Sequence, residues 1–314
     1  MGVINNERLA AKICEMYYLQ DMSQKEIALR LKISRPHICR IIAQARENGI
    51  VEIHIKNPHH NETALEHHLT SVFPFLEDAV VIDASDQNKV ERDAVFGREA
   101  AAYLQAFLTN GSHLGVMSGK TISNIVHYMK NGEGKHLKLV VPLVGGIGNV
   151  SPDLHANSIA MRIASIYSAT SLVLNAPLVV SNSKTAAILK EEASIAQVLE
   201  AGKNCDTAIV GIGNVDQFST TAQAGGISDE DLAALRSAGA VCSICNSYYD
   251  ANGHAVSVLS NKSIGIELKD FKKARVIACA LGNSKIHAIR AALLTKQISA
   301  LITDAETARA LCAE

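Results

Sequence analysis

The sequence lacks the features of a membrane-embedded or secreted protein. No apolar run is long enough to span a bilayer, and no basic segment followed by an apolar one stands at the N-terminus. The seven cysteines are odd in number, which argues against a disulfide framework. Cys242 and Cys245 form a C-x-x-C, but no second pair stands at the spacing of a zinc site. These absences favour a reduced, cytoplasmic protein with no membrane partner, no metal site and no cofactor.

The sequence also has little net charge, −1 over 314 residues, but that charge is unevenly distributed. Residues 1–57 hold nine Lys and Arg against six Asp and Glu, a net of +3. The remaining residues hold 21 against 25, a net of −4. The N-terminal part is therefore basic and the remainder slightly acidic. This distribution fits a protein that contacts nucleic acid through its N-terminal part alone.

Residues 23–49 have the pattern of two helices joined by a tight turn. Ser23 and Glu26 have the S-x-x-E spacing of a capping box, so the first helix begins there. Ser34 is a good N-cap for the second helix, and Gly49 suits its left-handed end. Apolar residues recur at helical spacing in the second helix and predict its buried stripe: Ile38, Ile41, Ile42 and Ala45.

The free face of the second helix predicts a helix-turn-helix domain that binds double-stranded operator DNA. It carries side chains of the types that bond base edges and phosphates in a major groove. A strand at residues 51–55 would form the wing of this domain. The predicted DNA contacts are Ser23, Gln24, Ser34, Arg35, Pro36, His37, Arg40 and Gln44. The alternative is an ordinary helical hairpin with a solvated charged face.

Beyond a polar, Pro-containing break at residues 57–61, short apolar runs alternate with helical segments. The runs that predict strands are 79–83, 114–117, 137–144, 172–174, 207–212, 276–280 and 300–303. The predicted helices are 90–108, 121–129, 157–167, 229–238, 285–294 and 304–311, besides a leading helix at 6–19. Such alternation predicts an α/β fold with a doubly wound, mostly parallel sheet, interrupted by a hairpin at 248–257.

The most informative loop of the body is GVMSGKT at residues 115–121, which follows a strand and opens a helix. Free amides at a helix N-terminus bind anions, and here a Ser, a Lys and a Thr stand beside them. The loop is not a Walker A motif, because Leu114 stands where the first Gly would be. The glycines at 145–148 and 211–213 do not complete G-x-G-x-x-G, so a dinucleotide site is not expected. Lys285, in the first turn of another helix, suggests a second cation for an anion.

The order of these motifs resembles the SorC/DeoR family of bacterial sugar-responsive transcriptional regulators, over nearly the whole chain. The resemblance is carried by YYLQDMSQKEIALRLKISRPHICRIIAQARENGIVEI, GVMSGKT, PLVGGIG, HAN, APLVV, AIVGIGN, the AGAV–YYDANG stretch and SKIHAIRAALLTKQISALITDAETARAL. It implies a winged helix-turn-helix domain at residues 1–57. At residues 58–314 it implies an effector-binding and oligomerisation domain with the fold of sugar-phosphate isomerases. The residues expected to hold a phosphorylated sugar are Ser118, Gly119, Lys120, Thr121, Gly145, Gly146, Asn157, Ser243 and Lys285.

The sequence departs from the family pattern at several of these positions. Met117-Ser118-Gly119 stands where a Ser-aromatic-Gly is frequent, so the hydroxyl is displaced by one position. Ser243 stands where a carboxylate is common, and Val144 where other members have a polar or cationic residue. These substitutions leave open an effector that is less polar than usual, or one that is not a phosphosugar.

Three classes of function therefore compete. The first is a DNA-binding regulator of a carbohydrate catabolic operon, controlled by a sugar or sugar-phosphate effector and assembled as a homodimer or tetramer. The second is a sugar-phosphate isomerase or deaminase with an appended DNA-binding domain, and the third is a scaffold with a vestigial pocket. An enzyme needs a carboxylate base with a partner acid, and none of the loop acids forms such a pair. We therefore expect the regulator and no enzymatic activity.

Overall fold

The computed structural model describes residues 2–53, 62–85, 87–130, 132 and 134–313, without the side chains of residues 2–6. The chain divides into two compact units, residues 1–58 and 59–314. No helix in the described ranges is long and apolar enough to cross a membrane.

The first unit is a bundle of three helices, α1 (Gly2–Tyr18), α2 (Gln24–Leu31) and α3 (Arg35–Glu47). Its core contains Ile13, Ile27 and Ile38, one from each helix and each with no exposed surface. The predicted capping box is confirmed. Ser23 Oγ accepts the amide of Glu26 at 3.3 Å, and a carboxylate oxygen of Glu26 accepts the amide of Ser23 at 2.8 Å.

Helix α3, the second helix of the predicted helix-turn-helix, begins and ends as the sequence predicts. Its N-cap and the wing that should follow it differ from the prediction. Ser34 occupies the N-cap of α3 in extended conformation, but its hydroxyl makes no capping hydrogen bond. Gly49 has a φ of 71°, the left-handed conformation expected after the helix. The predicted wing is not formed at residues 51–53, which adopt no strand, and residues 54 and 55 lie outside the described ranges.

The second unit alternates strands and helices along the chain. Its first half contains α4 (Thr63–Val72), β1 (Asp78–Ile82), α5 (Lys89–Phe107), β2 (His113–Val116), α6 (Lys120–Tyr128), β3 (Leu139–Pro142), α7 (Ala156–Ile166), β4 (Thr170–Ser171), α8 (Ser183–Glu191) and α9 (Ala193–Lys203). Its second half contains β5 (Thr207–Asn214), α10 (Thr220–Gln223), α11 (Asp229–Ser237), β6 (Cys242–Ile244), β7 (Ser247–Tyr249), β8 (Arg275–Cys279), α12 (Ile286–Leu294), β9 (Ala300–Asp304) and α13 (Ala305–Ala313).

Seven of the strands form a parallel sheet in the order β1-β9-β8-β5-β2-β3-β4. β6 and β7 form an antiparallel hairpin that continues from β5. Adjacent residues of a strand alternate between two hydrophobic cores, as Ile209 and Val210 do. Helices α5, α6 and α7 cover one face, and α4, α12 and α13 cover the other. The predicted doubly wound, mostly parallel α/β fold is therefore confirmed.

Some local predictions need correction. The strand expected at 172–174 is β4, two residues earlier and only two residues long. The chain does reverse at residues 250–253, where Tyr249 bridges Ala255, but the strand partner of β7 is β6, which the sequence did not indicate. Helices α8 and α9 were also not anticipated. Their apolar residues complete a smaller core around Val141, Leu174 and Ile195.

Strand order reverses between β5 and β2. From β2 the chain proceeds outward through β3 to β4, and it then returns to place β5 on the other side of β2. In open α/β sheets such a reversal leaves a crevice at the carboxyl ends of the two strands, where ligands bind. The loop at 117–119 joins β2 to α6, and Asn214 ends β5.

Candidate functional site

In the first unit, the predicted DNA-binding face is solvent-exposed. His37, Arg40 and Gln44 lie three and four residues apart on α3 and share one side of the helix. Arg35 and Pro36 are exposed at its first turn, as is Ser34 at the N-cap; Ser23 is exposed and Gln24 half-buried at the start of α2. Neither Arg35 nor Arg40 forms an ion pair or hydrogen bond with another described residue. The donors of both are therefore available to a partner outside the chain.

In the second unit, the loop after β2 presents the start of α6 to the crevice. Gly119 is the N-cap, and its φ of 130° is a conformation that only glycine adopts readily. Its own amide donates to the carbonyl of Leu154 at 3.0 Å, which fixes the loop against the connection after β3. The first amides of a helix have no partners within the helix, and the helix dipole adds positive potential there. Lys120, exposed at the first position, adds a full positive charge.

Lys285 brings a second cation to the same end of the sheet. It is half-buried, and its Nζ donates to the carbonyl oxygen of Ile212 in β5 at 3.1 Å. Burial lowers the pKa of Lys285 below its ordinary value, and the nearby charge of Lys120 lowers it further, while Asp216 opposes the shift. Lys120 and Lys285 repel each other, so an anion near them would be favourable for both. We call Lys120, Thr121 and Lys285, with the first turn of α6, the anion seat.

A small cavity lies beside this seat, between the ends of β2, β3 and β5 and the β6–β7 hairpin. We call it the inner cavity; its lining residues are Met117, Ser118, Val144, Ile147, Leu178, Asn214, Val215, Ser219, Thr221, Ile227, Leu232, Ser243, Cys245 and Tyr248. None of these side chains is charged. The free space inside is about 20 Å³, enough for about one water molecule, so a sugar enters only if a wall moves outward.

Four hydroxyls of the inner cavity form no hydrogen bond with another described residue: those of Ser118, Thr221, Ser243 and Tyr248. Ser118 is 7% exposed and Tyr248 is 8% exposed, so water competes little for them. Burial raises the pKa of Tyr248, and the nearby charge of Asp231 raises it further, so the phenol keeps its proton and remains a donor. Hydroxyls without a protein partner normally bond water or a ligand, so four of them around one cavity suit a polar ligand.

Three other residues predicted to hold the effector have their main polar groups already bonded. The amide of Gly145 donates to Ile264 at 3.1 Å and that of Gly146 to Ala176 at 2.8 Å. The side chain of Asn157 donates to the carbonyl of Leu174 at 3.2 Å and accepts its amide at 2.9 Å. A Cβ on Gly145 would lie 2.6 Å from the backbone of Pro177. These residues position the loops around the site; the two glycines offer no spare backbone amide to a ligand, and Asn157 keeps one unused side-chain N–H.

The sequence did not single out Tyr248 or Asn214. Tyr248 belongs to the strand β7, and its place in the inner cavity follows from the pairing of β7 with β6. Asn214 donates from its side chain to the carbonyl of Ser284 at 2.9 Å and so ties the end of β5 to the loop that carries Lys285. Nothing in the local sequence around either residue predicts these contacts, because both depend on strand order.

The described part of the chain shows neither a metal cluster nor an activated thiol in its C-x-x-C. No cluster of three His, Cys, Asp or Glu side chains there is arranged to hold a metal ion. Cys242 and Cys245 are buried free thiols, and burial raises the pKa of both, which makes them poor nucleophiles.

Comparison with known proteins assigns both units. Residues 57–313 match the sugar-binding domain family, Sugar-bind, and residues 10–48 match region 4 of sigma-70. The chain is 30% identical to the deoxyribonucleoside regulator of Bacillus subtilis over 308 residues, which are 97% of each protein. It is also 30% identical to the sorbitol operon regulator of Klebsiella pneumoniae, again over 97% of each.

Solved structures agree with this assignment. The full-length sorbitol operon regulator SorC from Klebsiella pneumoniae superposes with a TM-score of 0.73 at 28% identity, covering 98% of this chain and 99% of that one. A DeoR family transcriptional regulator from Listeria monocytogenes gives 0.72 at 29% identity over 79% of this chain and 98% of that one. The family predicted from the sequence motifs is thereby confirmed, and the chain belongs to the SorC/DeoR-type sugar-binding transcriptional regulators.

Proposed function

We propose that this protein controls transcription of a carbohydrate operon by binding operator DNA through α3, and that a phosphorylated sugar in the second unit regulates this binding. The relatives named above are regulators of sugar or nucleoside operons, which supports the first half of the proposal. The domain assignment follows: residues 1–57 bind DNA, and residues 58–314 bind the effector and join subunits.

The observation that carries the second half is the anion seat. Lys285 is half-buried close to the like charge of Lys120, at the N-terminus of α6 and at the point where strand order reverses. The first amides of α6, the Thr121 hydroxyl and the two lysines would bond a phosphate there, and their positive charge favours a phosphate over a neutral group. Ser118 and Ser243 in the adjoining inner cavity would bond hydroxyls of the sugar, with Tyr248 as a further donor.

The direct test compares sugar phosphates with the corresponding free sugars by isothermal titration calorimetry. Lys120→Ala and Lys285→Ala should each weaken a phosphorylated effector by about 1.5–3 kcal/mol, the usual contribution of a charge-assisted hydrogen bond. Lys184→Ala is a matched control, because Lys184 is an exposed lysine on α8, outside the anion seat and the inner cavity. Gel-shift affinity for operator DNA without effector should be unchanged in all three variants. Tight binding of a free sugar with no loss in either seat variant would contradict the proposal.

A further inference from the structure

The exposed side of α3 carries apolar side chains beside its polar ones. Pro36, Cys39 and Ala43 follow one another at intervals of three and four residues, so they share one side of the helix. All three are exposed to solvent. Proline and alanine side chains have no hydrogen-bonding group, and a cysteine thiol is only a weak donor and acceptor that otherwise acts as a small apolar group. We call Pro36, Cys39 and Ala43 the apolar row.

Cations border the apolar row on both sides. Arg40 lies three residues before Ala43 and Arg46 three residues after it, so the two arginines are on opposite sides of Ala43 around the helix axis. Both are exposed, and the side chain of neither forms an ion pair or hydrogen bond with another described residue. A helix in the major groove has a phosphate backbone on each side. Cations at the two borders suit those backbones, and the apolar row between them would then face the floor of the groove.

The chemistry of the groove floor determines which base suits an apolar side chain. Each base pair presents hydrogen-bond donors and acceptors there, and the C5-methyl of thymine is the apolar group among them. A side chain without donors or acceptors that covers a cytosine amino group or a guanine carbonyl leaves that group buried without a partner, which is unfavourable. The same side chain against a thymine methyl removes apolar surface of both partners from water, which is favourable.

We propose that the apolar row determines part of the operator specificity by contacting thymine methyl groups, while Arg40 and Gln44 bond polar base edges beside it. Cys39 and Ala43 are about one turn apart, or about 6 Å along the helix axis, so they would contact different base pairs. This inference rests on the proposed function, because it takes α3 as the helix that enters the major groove.

The test uses matched DNA duplexes that differ by one methyl group. Selection from a pool of random duplexes with the full chain supplies a recognised sequence, and each thymine of its half-site is then replaced singly by uracil, which lacks only the methyl. At one position or more this replacement should weaken binding about 4-fold, the factor that corresponds to burial of one methyl-sized group. The readout is the ratio of the affinities for the thymine and uracil duplexes at one salt concentration, because phosphate contacts contribute equally to both.

Variants of α3 assign each methyl contact to a side chain. Cys39→Ser and Ala43→Ser each place a hydroxyl against the methyl group with little change in volume, so each should bring the ratio towards one at its own thymine. Ala187→Ser makes the same change as Ala43→Ser at an exposed position within α8, and should leave every ratio unaltered.

The outcomes distinguish this inference from the proposed function. Equal affinity for thymine and uracil at every position, with affinity lost in Arg40→Ala, would overturn the inference and leave α3 as the helix that binds DNA. A preference for thymine that both serine variants retain would come from the deformability of the DNA, and it would also overturn the inference. Failure of the full chain to enrich any sequence from the pool would overturn both the inference and operator binding through α3.

Discussion

At the scale of single residues, the surroundings of Lys285 oppose its charge. Its amine is half-buried and has the carbonyl of Ile212 as a partner, while Lys120 adds a like charge nearby. An anion in the seat would add to the counter-charge of Asp216, which by itself leaves the pKa of Lys285 lowered. The free and the liganded protein should therefore differ in their affinity for a proton at this one amine.

This difference predicts a pH dependence of effector binding. The pKa of Lys285 is lowered in the free protein, and a bound phosphate favours the charged amine and raises that pKa. The affinity for a phosphorylated effector should thus be highest at a pH below the pKa of Lys285 in the free protein, and it should fall as the pH rises through that pKa. Where the pH lies between the pKa of Lys285 in the free protein and its pKa in the complex, binding should be accompanied by uptake of a proton. Calorimetry at several pH values below the ordinary lysine pKa of about 10.4, in buffers of different ionisation enthalpy, measures the uptake. Lys285→Arg should keep most of the affinity and lose the uptake, because arginine does not titrate in this range. An equal proton uptake in the Arg variant would show that another group titrates.

The two arginines of α3 lead to a second prediction at this scale. Arg35 and Arg40 are exposed and have no partner in the described chain, so their replacement should leave the fold intact. Arg35→Ala or Arg40→Ala should weaken specific operator binding by about 1–3 kcal/mol, the contribution of a bidentate contact to a base. Gel shifts at a single salt concentration measure the loss, with Arg8→Ala on the exposed side of α1 as a control for the lost charge. Equal losses in all three variants would indicate a general electrostatic effect instead of recognition by α3.

At the scale of elements, the paired glycines after β3 are explained by packing. Gly145 lies against the backbone of residues 176–177, where a Cβ would be 2.6 Å from the nearest atom, and backbone atoms cannot yield as a flexible side chain can. Gly146 has open space, with its nearest atom at 3.8 Å. Gly145→Ala should therefore destabilise the protein by about 1–3 kcal/mol, whereas Gly146→Ala should change stability little. Urea unfolding followed by circular dichroism measures both, and equal effects would contradict the packing role.

The elements also show which features the sequence can predict. The capping box at Ser23 and the strand-loop-helix around Gly119 are local patterns, and both were predicted. The hairpin β6–β7 was missed because β6 has only three residues, too few for a period, and its pairing with β5 is not local. The family resemblance predicts that Gly145 holds the effector, and Asn157 is expected to contact its hydroxyls. The sequence cannot show that Leu174 and Ile264 already occupy their polar groups, since those contacts depend on the tertiary fold.

At the scale of the whole molecule, the charge distribution and the division into two units agree with DNA binding by the first unit. The basic residues lie in excess in the first unit, and the second unit carries the acidic excess. A single small helical unit contacts too little DNA for specific binding, so we expect two copies of the chain to act together, as a dimer or a tetramer. An effector would then act by shifting the population between subunit arrangements that space the two α3 helices differently.

This expectation gives a prediction about the operator as well as the protein. Two α3 helices of a symmetric assembly enter successive major grooves on one side of the DNA, so the half-sites must be separated by whole helical turns. Inserting about five base pairs between the half-sites should abolish high-affinity binding, because it turns one half-site to the opposite side of the duplex. Inserting about ten base pairs returns both half-sites to the same side of the duplex and should recover part of the affinity. The recovery should be incomplete, because the two half-sites are then farther apart. Gel shifts on the three operators, with light scattering to give the mass in solution, test both the symmetry and the assembly. A monomer mass, or an affinity that the five-base-pair insertion leaves unchanged, would show that each chain binds DNA alone.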